Sequence, residues 1–231
     1  MALDTTEEEQ VEALKNWWKD NGTSLLTGVV VVLALMFGFR KWQDSQSSTV
    51  GEASDLYQQI ADMSVNNVGK VVTDDELLAA QNVYSQLKEQ YSSTIYTRYA
   101  ALAMAKFHAD KGELDLAATE LQWVLDHQSI GLLKKADPEL FLIARQRLAL
   151  VRLAQGNPKG AIDLLHGADA GTFVTTFSET EGDALLQLGD RDSARAAYQK
   201  ALAAIGEGNP VLLKLKLQDL GVSVSSVETK Q

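Results

Sequence analysis

The chain is 231 residues long, carries a formal net charge of −10 and has no cysteine, which excludes disulfides, thiolate metal sites and a cysteine nucleophile. Residues 1–22 hold two lysines against six carboxylates, and Arg40 and Lys41 are the charges between 23 and 43, so −8 falls on the remainder. That excess of carboxylate opposes nucleic-acid binding, which draws its affinity from basic contacts to phosphate, and opposes lying flat on anionic lipid.

In chain order, residues 5–20 predict an amphipathic helix. Thr5 or Thr6 is placed to cap it, with Glu8 or Glu9 completing a capping box. Val11, Leu14, Trp17 and Trp18 make its apolar stripe, with Lys15 and Lys19 nearby. Two tryptophans next to a span suit an interfacial helix, and a partner-binding helix is the alternative. Asn21-Gly22 is expected to end it, with Thr23 or Ser24 capping the next.

Residues 23–39, TSLLTGVVVVLALMFGF, contain no ionisable side chain. As a helix they span about 26 Å, close to a bilayer's apolar thickness of roughly 30 Å. Arg40 and Lys41 can snorkel and Trp42 prefers the headgroup level, so Trp17, Trp18, Arg40, Lys41 and Trp42 are the expected flanks of a membrane anchor at 23–43. Acidic-leaning residues precede the run and no small-x-small cleavage pattern follows it, which favours an uncleaved span over a signal peptide. Charge does not orient it: Lys15 and Lys19 on one side tie with Arg40 and Lys41 on the other.

Residues 44–51 are polar and Ser-rich and read as a linker or a weak helix extension. From 52 onward the pattern is helical, with helices expected at 52–63, 74–91, 95–111, 114–127, 138–155, 158–166, 172–188, 191–205 and 210–219. The β-leaning pieces at 65–73 and 222–227 are short and broken by Asn, Gly or Ser. Asp137-Pro138, Asn157-Pro158 and Asn209-Pro210 each place a capping residue before a proline suited to the first helical position.

Three segments repeat: FHADKGELDLAATELQWVL, RLAQGNPKGAIDLLHGA and LLQLGDRDSARAAYQKAL. Each has a turn glycine (Gly112, Gly156, Gly189), a small residue seven before it (Ala105, Ala149, Gly182) and an alanine five after it (Ala117, Ala161, Ala194). A large residue follows at nine (Leu121, Leu165, Tyr198) and a medium or small one at twelve (Val124, Ala168, Ala201). The glycine closes one helix in left-handed geometry, the small residues let two antiparallel helices approach, and the large residue is expected to fill the groove to the next pair. One pair cannot bury its own apolar face, so pairs stack into a solenoid.

This spacing resembles the tetratricopeptide repeat. The third copy matches best, while the first two lack the aromatic residues near the start of the first helix. The turn-to-turn distances are 44 and 33 residues, so the first carries an insertion around 128–137. Residues 52–91 resemble one more, divergent pair, and 210–219 a terminal cap. Over nearly its full length the chain also resembles the YfgM-like ancillary SecYEG translocon subunit family. The resemblance runs through QVEALKNWWKDNG before the span, FRKW after it, EGDALLQLGDRDSARAAYQKAL and LKLKLQDL.

The resemblance implies an all-α protein: a single transmembrane helix followed by a tetratricopeptide-like helical-hairpin solenoid. It implies a cytoplasmic tail at 1–22, a span at 23–43, a linker at 44–51, a periplasmic domain at 52–221 and a C-terminal tail at 222–231, in the bacterial inner membrane. Carrying the groove-facing positions of such repeats onto this chain gives Tyr99, Leu102 and Lys106, then Ile143, Gln146 and Leu150, then Thr176, Glu179 and Asp183. The groove is expected to be mixed apolar and acidic and to take a protein segment. Leu102, Ile143 and Leu150 read equally well as ordinary core.

No catalytic, cofactor or metal signature is present. His108, His127 and His166 share no ligand spacing, and there is no HExxH, GxSxG, Walker loop or GxGxxG. Asp74-Asp75-Glu76 and Asp190-Arg191-Asp192 sit at expected helix starts, where carboxylates complement the dipole. The expected function is therefore a non-enzymatic adaptor beside the SecYEG translocon. By resemblance its partners are that translocon, a membrane-anchored periplasmic peptidyl-prolyl isomerase-like chaperone, client polypeptides and the lipid bilayer, with no nucleic acid. The alternatives are a scaffold of another cell-envelope complex and a regulator acting through its cytoplasmic tail.

Overall fold

The structure is a computed structural model that describes residues 4–67, 69–130, 134–135, 138–205, 208 and 210–222, with the side chains of 4–8, 44–46, 130 and 134–135 left aside. The capping box at Thr5/Thr6, the caps Asp137 and Asn209 and most of the 222–231 tail fall outside what is described. The chain forms two units, Met1–Glu52 and Ala53–Gln231, each taken by itself.

Helix α1 runs from Asp4 to Asn66 and crosses both units. This corrects one expectation, since the helix does not end at Asn21-Gly22, and of the two readings of 44–51 it bears out the helix extension in place of the linker. Polar side chains on this helix bond locally. Asn21 Nδ2 donates to the Trp17 carbonyl at 3.1 Å, Thr27 Oγ1 to the Thr23 carbonyl at 2.7 Å, and Ser48 Oγ to Glu52 at 3.0 Å. Gly22 leaves room for the Trp18 ring, which lies 3.2 Å from where a Cβ would stand. The helix contains a stretch long and apolar enough to cross a membrane, almost none of it buried. From Leu25 to Phe39 its large apolar side chains are exposed, so it is not the core helix of this protein.

The second unit takes the end of α1 and then alternates direction through α2 (Asp74–Gln90), α3 (Ile95–Asp110), α4 (Leu114–Asp126), α5 (Pro138–Ala154) and α6 (Pro158–His166). A 3-10 turn at Gly171–Phe173 leads into α7 (Val174–Gln187), α8 (Arg191–Ile205) and α9 (Val211–Asp219). Helix α2 opens on a capping box: the Thr73 side chain accepts from the Glu76 N–H, and Glu76 accepts from the Thr73 N–H at 2.9 Å. Asn157 caps α6 through the Gly160 N–H at 2.9 Å. Pro210 departs from the expected first helical position and stands at the N-cap of α9 instead.

The three repeat glycines have φ of +78° (Gly112), +74° (Gly156) and +84° (Gly189). Behind each, the next N–H bonds back across the turn: Glu113 to the His108 carbonyl at 2.8 Å, Asn157 to Arg152 at 2.8 Å, Asp190 to Leu185 at 3.0 Å. Helix α9 ends the same way, with Gly221 at φ +80° and Val222 bonded to the Leu217 carbonyl at 3.0 Å, a fourth closure the repeat pattern did not announce.

The small residues before and after each turn glycine are all buried. Leu121 and Leu165 are buried as well. Tyr198 adds to the expectation for its position: it also reaches back within its own pair, where a Cβ on Gly182 would collide with its ring. Its other side joins Ala194 and Ala201 against Leu213, Leu217 and Leu220 around α9.

The insertion at 128–137 holds a two-residue antiparallel ladder, Ser129–Ile130 (β1) against Lys134–Lys135 (β2). Arg98, 2% exposed, anchors its start. Its guanidinium donates to the carbonyls of His127 (2.7 Å), Ser92 (3.1 Å), Thr94 (2.7 Å) and Ser129. No carboxylate takes part among these contacts. Burial lowers the pKa of this arginine from its ordinary value, and four carbonyl dipoles meet the charge.

Candidate partner-binding face

Helices reverse at each short turn, so α3, α5 and α7 run the same way and present one row of residues. Cross-links between successive first helices mark that row. Tyr57, near the end of α1, packs against Tyr96 and Tyr99 of α3 with ring centroids 5.9 and 5.8 Å apart. Gln146 Nε2 of α5 donates to Thr180 Oγ1 of α7 at 3.1 Å. Lys216 of α9 donates to Glu179 (2.8 Å) and Asp183 (2.6 Å) of α7.

Between the end of α1, α3 and α5 lies a cavity of about 410 Å³, within the roughly 300–1,000 Å³ usual for ligand sites. Four of the nine predicted groove residues line it: Tyr99, Leu102, Lys106 and Ile143. Leu102 is buried and forms part of the floor, whereas Tyr99 is 38% exposed. Lys106 bonds Asp110 one turn on at 2.5 Å. Burial, with a smaller contribution from Tyr99, pushes the Tyr57 hydroxyl above its ordinary pKa.

The other five are placed differently. Gln146 spans to α7, its Oε1 buried without a partner among the described residues. Leu150 is exposed but does not line the cavity. Thr176 is exposed and donates to the Phe173 carbonyl at 3.1 Å. Glu179 and Asp183 are held by Lys216, and Asp183 also accepts from the Tyr198 hydroxyl at 2.7 Å. Burial pulls the Lys216 pKa down, but its bonds to Asp183 and Glu179 outweigh that and hold it above the ordinary lysine value. Burial and Asp183 likewise raise the Tyr198 pKa. The acidic end of the predicted groove is thus closed from within.

Sequence reasoning missed Tyr57 and Arg147 in the cavity and Lys216 at the closed end of the predicted groove. Arg147 stands one turn after Ile143, so the stripe Ile143, Gln146, Arg147 could have signalled it. On the opposite side, Trp123 is stacked by His127 (4.3 Å) and approached by Lys88 (4.9 Å), which bonds Glu120 at 2.9 Å. Each histidine has a local partner: His108 with Glu113 (2.6 Å), His127 with the Trp123 carbonyl (2.8 Å) and His166 with Glu181 (2.7 Å). Among the described residues no group of three or more His, Asp or Glu could hold a metal ion.

The pattern of the tetratricopeptide repeat-like domain matches residues 15–222. An ancillary SecYEG translocon subunit of Haemophilus influenzae is 27% identical over 220 residues, covering 95% of this chain and 100% of that protein. The protein of the same name from Escherichia coli is 26% identical over 223 residues, covering 96% and 100%, and that from Neisseria gonorrhoeae 25% identical over 222 residues, covering 95% and 100%. Apolar stretch, hairpin stack and terminal helix are matched together in relatives named ancillary SecYEG translocon subunits, and the chain belongs to the tetratricopeptide repeat-like domain family.

Proposed function

We propose that this chain is a non-enzymatic, single-pass adaptor of the Sec translocon. Its tail at 1–22 lies in the cytoplasm, the span at 23–43 crosses the bacterial inner membrane, and the hairpin unit stands in the periplasm. There it binds a partner, a membrane-anchored peptidyl-prolyl isomerase-like chaperone by resemblance, and helps pass emerging polypeptides to it. The observation that carries this reading is the pairing, in one chain, of an exposed membrane-length apolar stretch with a hairpin stack that leaves the Tyr99–Lys106–Ile143 cavity open. Full-length similarity to ancillary translocon subunits supports the setting. Tethering at the channel raises effective concentration, so weak contacts suffice.

The test is a mild-detergent pull-down identified by mass spectrometry. It compares the full chain, a version lacking residues 1–43, and Tyr99→Ala/Lys106→Ala in the full chain. Translocon subunits and a membrane chaperone are expected with the full chain, and loss of the chaperone with the double substitution. Recovery of a different envelope complex, with no translocon subunit, overturns the assignment.

A further inference from the structure

The cavity between α1, α3 and α5 has two unlike ends. Because α3 and α5 run the same way, their early residues share one end and their late residues the other. The early end holds Tyr57 and Tyr99, rings 5.8 Å apart, with Glu139 beside them. The late end holds Lys106 and Arg147. Lys106 is matched by Asp110, whereas Arg147 has no hydrogen bond or ion pair among the described residues. A chain of net charge −10 therefore keeps a locally cationic spot one step from an aromatic one. Tyr99 and Lys106 are seven residues apart on one helix, about 10 Å.

We propose that this cavity binds an extended polypeptide segment whose aromatic or long aliphatic side chain packs on Tyr57 and Tyr99 while a carboxylate three residues away meets Arg147. In the extended polyproline II conformation, with three residues per turn, three residues cover about 9 Å and return the first and fourth side chains to one face, matching the separation of the two ends. The chemistry is complementary at both: an apolar side chain gains by leaving water against half-exposed rings, and a planar guanidinium takes a carboxylate with two parallel bonds. The cavity's volume admits a few side chains and no folded domain. This inference rests on the adaptor reading and adds to it the class of sequence that the face selects.

The test uses the full chain in detergent micelles and three labelled peptides with Gly/Ser flanks and blocked termini, read by fluorescence anisotropy. One carries Phe-x-x-Asp, one Phe-x-x-Lys and one Gly-x-x-Asp. The first is expected to bind about five- to tenfold tighter than either of the others, the range of one partly exposed charge contact or one packed ring. Arg147→Ala should erase the preference for Asp over Lys, and Arg147→Glu should reverse it, an outcome that requires a folded site. Equal binding of the three peptides, no binding, or an unchanged order in Arg147→Glu overturns the proposal. If the translocon co-purifies with the full chain while the peptides are not distinguished, this inference alone falls. If the peptides are distinguished and no translocon subunit co-purifies, the adaptor reading alone falls.

Discussion

Lys216 and Arg147 are cations on the same face of the hairpin stack, and they are used in opposite ways. Lys216 comes from the terminal helix and is absorbed by Glu179 and Asp183 of the helix beside it. Arg147 meets no carboxylate among the described residues and lines the cavity with Lys106. The face thus has a sealed end and an open end built from equivalent positions of a repeat. At the sealed end, side chains that a ligand would use are spent on docking α9. At the open end, the neighbouring helix supplies Tyr57 in place of a partner for the charge. Repeat position therefore fixes where a residue points, and the adjoining helix decides whether it is available.

Substitutions can break this contrast. The largest effect is expected from Arg98→Ala, because the open half also holds one cation turned fully inward. Removing it leaves several carbonyls without their donor and should cost about 3–4 kcal/mol in urea unfolding. At the sealed end, Gly182→Val forces the Tyr198 ring out of its seat and should cost about 2–3 kcal/mol by the same measurement. Lys216→Ala leaves two half-buried carboxylates facing each other and should cost about 1–2 kcal/mol. Hydrogen exchange should place the loss in α9, not in α3 or α5.

Two smaller effects sharpen the contrast at the open half. Thr73→Ala removes the cap of α2, worth about 1 kcal/mol. The backbone and side-chain bonds from Thr73 hold the Glu76 carboxyl below its ordinary pKa. Its contribution is therefore present above the unfolded value, near pH 4.5, and is lost as pH falls through the lower folded value. Protection of the first turn of α2 should decline with acidification in the native chain and respond less in Thr73→Ala. Arg147→Ala should change stability by less than about 0.5 kcal/mol, since it breaks no bond within the described residues. A large loss there would mean that the open end is a sealed one too.

The turns were legible in the sequence because their constraint is severe. Gly112, Gly156 and Gly189 occupy φ values that side chains disfavour, and the alanines and Gly182 mark where helices touch. Tyr99, Lys106 and Ile143 came from the resemblance to tetratricopeptide stacks, whose groove-facing positions were carried onto this chain. Arg98 was not legible because its partners are main-chain carbonyls, which no residue pattern announces. Lys216 was not legible because it closes on carboxylates more than thirty residues earlier. The continuity of α1 through Asn21-Gly22 escaped because the Asn21 amide turns back onto its own helix instead of stopping it.

The closure at Gly221 and Val222 copies the turn that elsewhere lies between the two helices of a pair. Ahead of it, Val211, Leu212 and Leu215 of α9 face outward. Within the described residues α9 thus closes with the turn that elsewhere leads into the second helix of a pair. In engineering terms Gly221 is a splice point. An amphipathic helix with the alanine and leucine spacing of α4, grafted in place of residues 223–231, should lengthen the array without redrawing any packing upstream of it.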